Sequence, residues 1–159
     1  QMLLKELEEH EITRSIENGT KSSALGYEAS IFEFLGFSRG DKPIQVLRSA
    51  YTNFIHLKRV PLKKKVSSTQ INYDFTVSYP SLTEIYAQTP LPWGGGRSWV
   101  KAIEKGGISN FNYTLANSSY PTSRSGTAIQ SKYIVRDFNY KPIPYLSPII
   151  NKFRVNAGL

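Results

Sequence analysis

The side chains able to move protons or hold a metal are few and scattered. The 159 residues include two histidines, His10 and His56. They do not stand at ligand spacing, and no His-Glu-x-x-His run is present, so the sequence points to no metal site. Cysteine is absent, so no disulfide, thiolate metal site or cysteine nucleophile is available. That absence suits a reducing compartment. Asp74, Glu84, Glu104 and Asp137 supply carboxylates in the C-terminal two thirds. Their spacing selects no acid–base pair. The expectation is a protein that is not an enzyme and uses no cofactor.

Binding chemistry is better represented. Gly94-Gly95-Gly96-Arg97-Ser98 precedes an expected helix and could form a backbone nest for an anion. It lacks the GxxxxGK[ST] spacing of a nucleotide-binding loop. The plain alternative is a hinge after Pro90 and Pro92. Lys63-Lys64-Lys65, with Lys58 and Arg59 upstream, is the strongest electrostatic feature. These five are candidate contacts for DNA or an acidic partner, and binding through them would fall steeply with salt. No zinc ligands, RNP aromatics or GXXG loop accompany them. A charged turn between two elements is the ordinary reading.

The net charge of +8 is unevenly spread. Residues 1–41 hold eight acids against four bases. Residues 42–73 hold seven bases and no acid, and 74–159 hold nine bases and four acids. A basic body with an acidic start suits nucleic acid, or a neighbouring subunit with the opposite charge. The ten tyrosines suit interfaces, where an apolar ring with a polar tip is useful.

The elements that must position these groups follow from periodicity. With 40% apolar and 20% charged residues, the chain belongs to the folded class. No apolar run reaches membrane-spanning length, and Glu6, Glu8, Glu9 and Glu11 stand where a secretory leader would be apolar. Leu3, Leu4, Leu7, Ile12 and Ile16 recur at helical spacing and predict a helix over 2–17. A polar linker follows to residue 26. Residues 1–26 are therefore expected to form a helical arm and linker, with a single domain over 27–159. Asp41 before Lys42-Pro43 reads as a helix cap, a better role than adhesion through Arg39-Gly40-Asp41. The helix it starts is expected over 42–58, carrying Ile44, Leu47, Tyr51, Phe54 and Ile55, and ending at Pro61 with Lys58 and Arg59 in its last turn. Alternation from Thr69 to Tyr79 predicts a strand with one buried face. A short helix is expected over 97–105 with Gly106 as its cap, then strands over 108–115 and 127–137. Ser147-Pro148 marks the start of a last helix. Helices first and strands later predict an α+β fold, an antiparallel sheet packed with a long amphipathic helix.

Three stretches resemble one family. Thr89-Pro90 through Gly94-Gly95-Gly96-Arg97-Ser98-Trp99 is similar to a segment of small neck and tail-completion proteins of tailed bacteriophages of the HK97 type. Ser123-Arg124-Ser125-Gly126-Thr127 resembles their tight Gly-Thr turn. Lys141-Pro142-Ile143-Pro144-Tyr145-Leu146-Ser147-Pro148-Ile149-Ile150 resembles the entry into their final helix. This chain departs from the pattern in having Ser123 and Arg124 where an acid usually precedes the turn. The resemblance implies a virion protein assembled in the host cytoplasm, one subunit of a homo-oligomeric head–tail connector or tail-terminator ring. Its partners would be other virion proteins, with DNA contact open and no membrane. On that reading Leu3, Leu4, Leu7, Ile12, Ile16, Trp93, Arg97 and Trp99 are candidate subunit-docking residues.

Overall fold

Leu3 and Leu7 stand four residues apart, and so do Ile12 and Ile16. Each pair shares one helix face. The step from Leu7 to Ile12 would rotate the second pair about 140° away in a straight helix. The computed structural model describes residues 2–18, 31–38, 40–60, 74–93, 95–107, 111–116, 128–135 and 141–158, and it breaks the helix at His10. The single expected helix is two, α1 (Met2–Glu9) and α2 (Glu11–Asn18). At the break, His10 Nδ1 accepts the Ile12 N–H at 3.2 Å, satisfying a donor that the start of α2 leaves open. All four apolar residues are buried.

That burial corrects the expected arm. α1 packs on the C-terminal helix and on α2. α2 also packs on α3 (Ile31–Phe34) and α4 (Pro43–Phe54). Arg48 on α4 holds Glu17 through both carboxylate oxygens, at 2.7 and 3.1 Å, and reaches Glu8 at 3.3 Å. Lys152 pairs with Glu6. Residues 2–18 thus belong to the same core as the rest of the described chain. The linker at 19–26 lies outside the described residues.

α4 is shorter than its periodicity predicts. Ile44, Leu47, Ala50 and Tyr51 face the core, but the backbone turns extended at Ile55. His56–Val60 forms β1 and pairs antiparallel with β2 (Asp74–Ser78). Lys58 and Arg59 therefore stand on a strand, not in a last helical turn. Backbone pairing with a distant segment has overridden local helix preference. Asp41 does not cap α4 either. Its carboxylate accepts the Ser38 N–H at 2.7 Å, closing a turn across Gly40, and Pro43 alone marks the helix start.

The fold is α+β, but the expected sheet face does not cover a long helix. α4 has twelve residues and packs on α5 (Leu82–Gln88). β1 and β2 pack chiefly on each other. Phe75 is 54% exposed, so the alternation expected to bury one face does not do so here. Residues 69–73 of that expected strand lie outside the described residues. A second ribbon pairs β3 (Thr114–Ala116) with β4 (Ala128–Gln130); it only overlaps the expected strands 108–115 and 127–137, since Phe111–Tyr113 is a 3₁₀ turn and residues 131–135 are not strand.

The core gathers Leu7, Ile12, Ile16, Leu47, Ile85, Trp99, Ile103, Tyr145 and Leu146, all nearly or fully buried. Burying each such side chain contributes roughly 1.5–3 kcal/mol. Trp99 starts α6 (Trp99–Lys101), which runs on into one π-helical turn, Ala102–Gly106, capped by Gly107 rather than Gly106. The last helix, α7, spans Leu146–Ala157. It begins one residue ahead of the Ser147-Pro148 signal and has no side-chain cap of its own at Tyr145.

Candidate functional site

α7 is capped from elsewhere in the chain. Glu104, on the π turn after α6, is 9% exposed. Its Oε1 accepts the backbone N–H groups of Ser147 at 2.6 Å and Tyr145 at 3.3 Å. Its Oε2 accepts the Tyr86 hydroxyl at 2.7 Å. A carboxylate at a helix start is favoured by the open N–H groups and the helix dipole. The Tyr145 hydroxyl and Thr13 Oγ1 share a hydrogen bond of 2.6 Å, and the His10 ring lies 4.8 Å from the Tyr145 ring. Burial pushes the Tyr145 hydroxyl well above the ordinary tyrosine value, with the Glu104 charge adding to it. Burial does the same for Tyr86, helped by its bond to Glu104. Both stay neutral, so the cluster joins α2, α5, α6 and α7 structurally.

Burial also holds His10 below the ordinary histidine value of 6.5, opposed by Glu11, the Pro144 carbonyl and Glu104. Its Nδ1 must stay unprotonated to accept the Ile12 N–H. The unfolded chain takes up this proton more readily than the folded one, so stability is fully present above pH 6.5 and declines as pH falls through the lowered value. Urea unfolding of wild type at pH 7.5 and pH 5 should show that loss. His10→Asn keeps a capping oxygen without a titrating ring, and its pH-dependent loss should be smaller. Equal losses in the two proteins would refute the assignment.

Of the carboxylates considered for chemistry, Glu84 closes a capping box at the start of α5. Ser81 Oγ accepts the Glu84 N–H at 3.2 Å, while the Glu84 carboxylate accepts the Ser81 N–H and hydroxyl at 2.7 Å. Those bonds, the hydroxyl's first, lower the Glu84 pKa. Glu84 and Glu104 are both engaged structurally, and His56 stands on exposed β1. Among the described residues, no group of three or more His, Asp or Glu side chains could hold a metal ion, and no helix is long and apolar enough to cross a membrane.

The expected docking residues divide sharply. Leu3, Leu7, Ile12, Ile16 and Trp99 are core residues, and Leu4 packs against the core half-buried. Trp99 meets Phe37 edge-on at 6.2 Å and Tyr145 at 6.3 Å. The apolar surface of Leu3, Leu7, Ile12, Ile16 and Trp99 is used internally, so these five offer no neighbour a contact. Trp93 and Arg97 remain accessible, with Trp93 40% exposed.

Two surfaces emerge. One is the β1–β2 ribbon. Directly paired residues share a face, so Leu57 with Val77 and Arg59 with Phe75 make one face, and Lys58 with Thr76 lies on the other. Leu57 is 69% exposed. The ribbon is rooted by Ile55 and Tyr79, which pack against the core, and Tyr79 meets Phe153 at 6.0 Å. Lys63, Lys64 and Lys65 lie outside the described residues.

The other is a cleft of about 960 Å³ between α5, the 91–98 loop and the α6–π segment. Arg97, Lys101 and Lys105 line it with Tyr86 and Trp93. Trp93 is set by its surroundings. Its indole Nε1–H donates to the Leu35 carbonyl at 2.9 Å. Gly36, at φ +82°, lies so close that an added Cβ would stand 2.7 Å from the indole. Glycine is needed there for both conformation and space. The Arg97 guanidinium lies over the Trp93 ring, 5.4 Å from its centre. Sequence reading singled out Trp93 and Arg97 but missed Lys101 and Lys105. Their four-residue spacing was visible, whereas the wall supplied by α5 was not.

Comparison with protein-family models, curated proteins and solved structures finds no match to this chain.

Proposed function

We propose that this chain is a structural subunit of a tailed-phage particle. It serves in the neck, head–tail connector or tail-terminator ring and docks on neighbouring subunits without doing chemistry. The observation that carries this reading is the β1–β2 ribbon. Leu57 and Phe75 expose apolar surface beside Arg59 on one face, while the ribbon's base is rooted in the core. Exposed apolar side chains on a strand pair with no third strand beside it among the described residues favour association, and a cyclic ring repeats one such heterologous contact. The resemblance of residues 89–99, 123–127 and 141–150 to phage neck and tail-completion proteins supplies the class of particle.

Mass measurement in solution tests it. The full chain should form a closed oligomer, alone or with its neighbouring virion protein. Leu57→Asp with Phe75→Asp should leave a folded monomer, because both side chains are already exposed. Assembly unaffected by that double substitution would overturn the ribbon as the docking element. Failure to find the chain in purified particles by mass spectrometry would overturn the virion assignment.

The exposed Lys58 and Arg59 favour one second reading, a basic nucleic-acid-binding protein using residues 58–65. That reading expects affinity to fall when Lys58, Arg59 and Lys63–Lys65 are reversed in charge.

A further inference from the structure

The cleft beside Trp93 carries three cations, Arg97, Lys101 and Lys105, and no acid among its described lining residues. Glu104 stands between two of them in sequence, but its oxygens are held by Tyr86, Tyr145 and Ser147. The π turn matters here. It widens the helix between Lys101 and Lys105, and both lysines line the cleft while Glu104 is buried behind it. Single-turn π bulges of this kind are frequent at functional sites.

None of the described acids lines this cleft. Glu6, Glu8, Glu9 and Glu17 are paired with Lys152, Arg48 and Lys5. Asp41 and Glu84 are engaged by turn and cap donors. In a second copy Glu6, Glu8, Glu9 and Glu17 already have cations, so an anion brought from outside fits better than that acidic start.

We infer that this cleft binds single-stranded nucleic acid, with Arg97, Lys101 and Lys105 on phosphates and the Trp93–Arg97 stack as a platform for a base. The site is separate from the ribbon, and the inference does not depend on the subunit-docking reading. Two features select this ligand among polyanions. Trp93 presents an exposed indole pinned by Leu35 and Gly36, and a planar aromatic or guanidinium surface recognises unstacked bases. An acidic peptide would use the charges but not the plane. A duplex keeps its base faces stacked inside and offers Trp93 none.

The test is fluorescence anisotropy of the full chain with a labelled oligothymidylate of about twelve nucleotides across a salt series. Three phosphate contacts should give a log–log salt slope of about −2, and Lys101→Gln with Lys105→Gln should reduce it to about −0.7. Both lysines are exposed, so that variant should fold normally. Its affinity at low salt should fall on the order of tenfold or more. Trp93→Leu should weaken binding about tenfold and leave the slope unchanged. Three results would each overturn the inference. One is no binding at low salt, and another is unchanged affinity and slope in the lysine variant. The third is equal competition by a duplex or by polyglutamate of matching charge, which would transfer the site to duplex DNA or an acidic protein partner.

Discussion

Removing residues 1–18 is expected to abolish folding, and Leu7→Ala alone should destabilise the protein by about 2–5 kcal/mol. The basis is the complete burial of Leu7 and the near-complete burial of Leu3, Ile12 and Ile16, in one cluster with Leu47, Ile85 and Tyr145. Truncating a leucine there removes its transfer free energy and leaves a cavity between α1, α2 and α7 that the packed helices cannot close. For a chain of this size, each kcal/mol corresponds to a fall of roughly 2–4 °C in melting temperature. Thermal unfolding followed by circular dichroism should therefore show Leu7→Ala melting about 10 °C below wild type. Glu9→Ala provides the contrast, because its pair with Lys5 is exposed and such pairs contribute about 0–1 kcal/mol. A truncated chain that kept its cooperative melt would restore the picture of a detachable arm.

Glu104→Ala should be the most damaging substitution of a polar residue, at roughly 3 kcal/mol. The carboxylate accepts from two backbone N–H groups at the start of α7 and from the Tyr86 hydroxyl. Alanine leaves those N–H groups without a partner at a buried helix end. Hydrogen bonds to a charged acceptor are each worth about 1.5–3 kcal/mol, and loss of a helix cap about 0.5–2 kcal/mol. Glu104→Gln keeps an acceptor and should lose less than Glu104→Ala. Tyr86→Phe removes only the half-buried hydroxyl and should lose least, about 1 kcal/mol. Urea unfolding of the three variants checks the order. Equal losses for Glu104→Ala and Tyr86→Phe would place the stabilisation in the tyrosine contact and refute the capping role.

These two cases show which parts of the molecule can be read from order along the chain. Pro43 and the spacing Ile44, Leu47, Tyr51 located α4, because a helix face depends only on residues three and four apart. Ser81 and Glu84 form a capping box whose Ser-x-x-Glu signature is present in the sequence and passed unread. Lys58 and Arg59 were misplaced because their strand exists only through pairing with residues 74–78, a contact that local periodicity cannot report. Gly36 gave no signal at all, since its requirement comes from Trp93, far away in sequence.

The sequence by itself determined an α+β chain without cysteine, with scattered titratable groups, helices placed by apolar spacing and an excess of positive charge. Those properties depend on composition and short-range periodicity. Tertiary structure decided which apolar stripes face inward and which charges meet. It turned an expected docking stripe into core by breaking the helix at His10. It made Glu104 a cap for α7 and gathered Arg97, Lys101 and Lys105 beside Trp93 in one cleft. Each of those outcomes depends on where distant elements pack, and burial and electrostatics act between side chains that close packing makes neighbours.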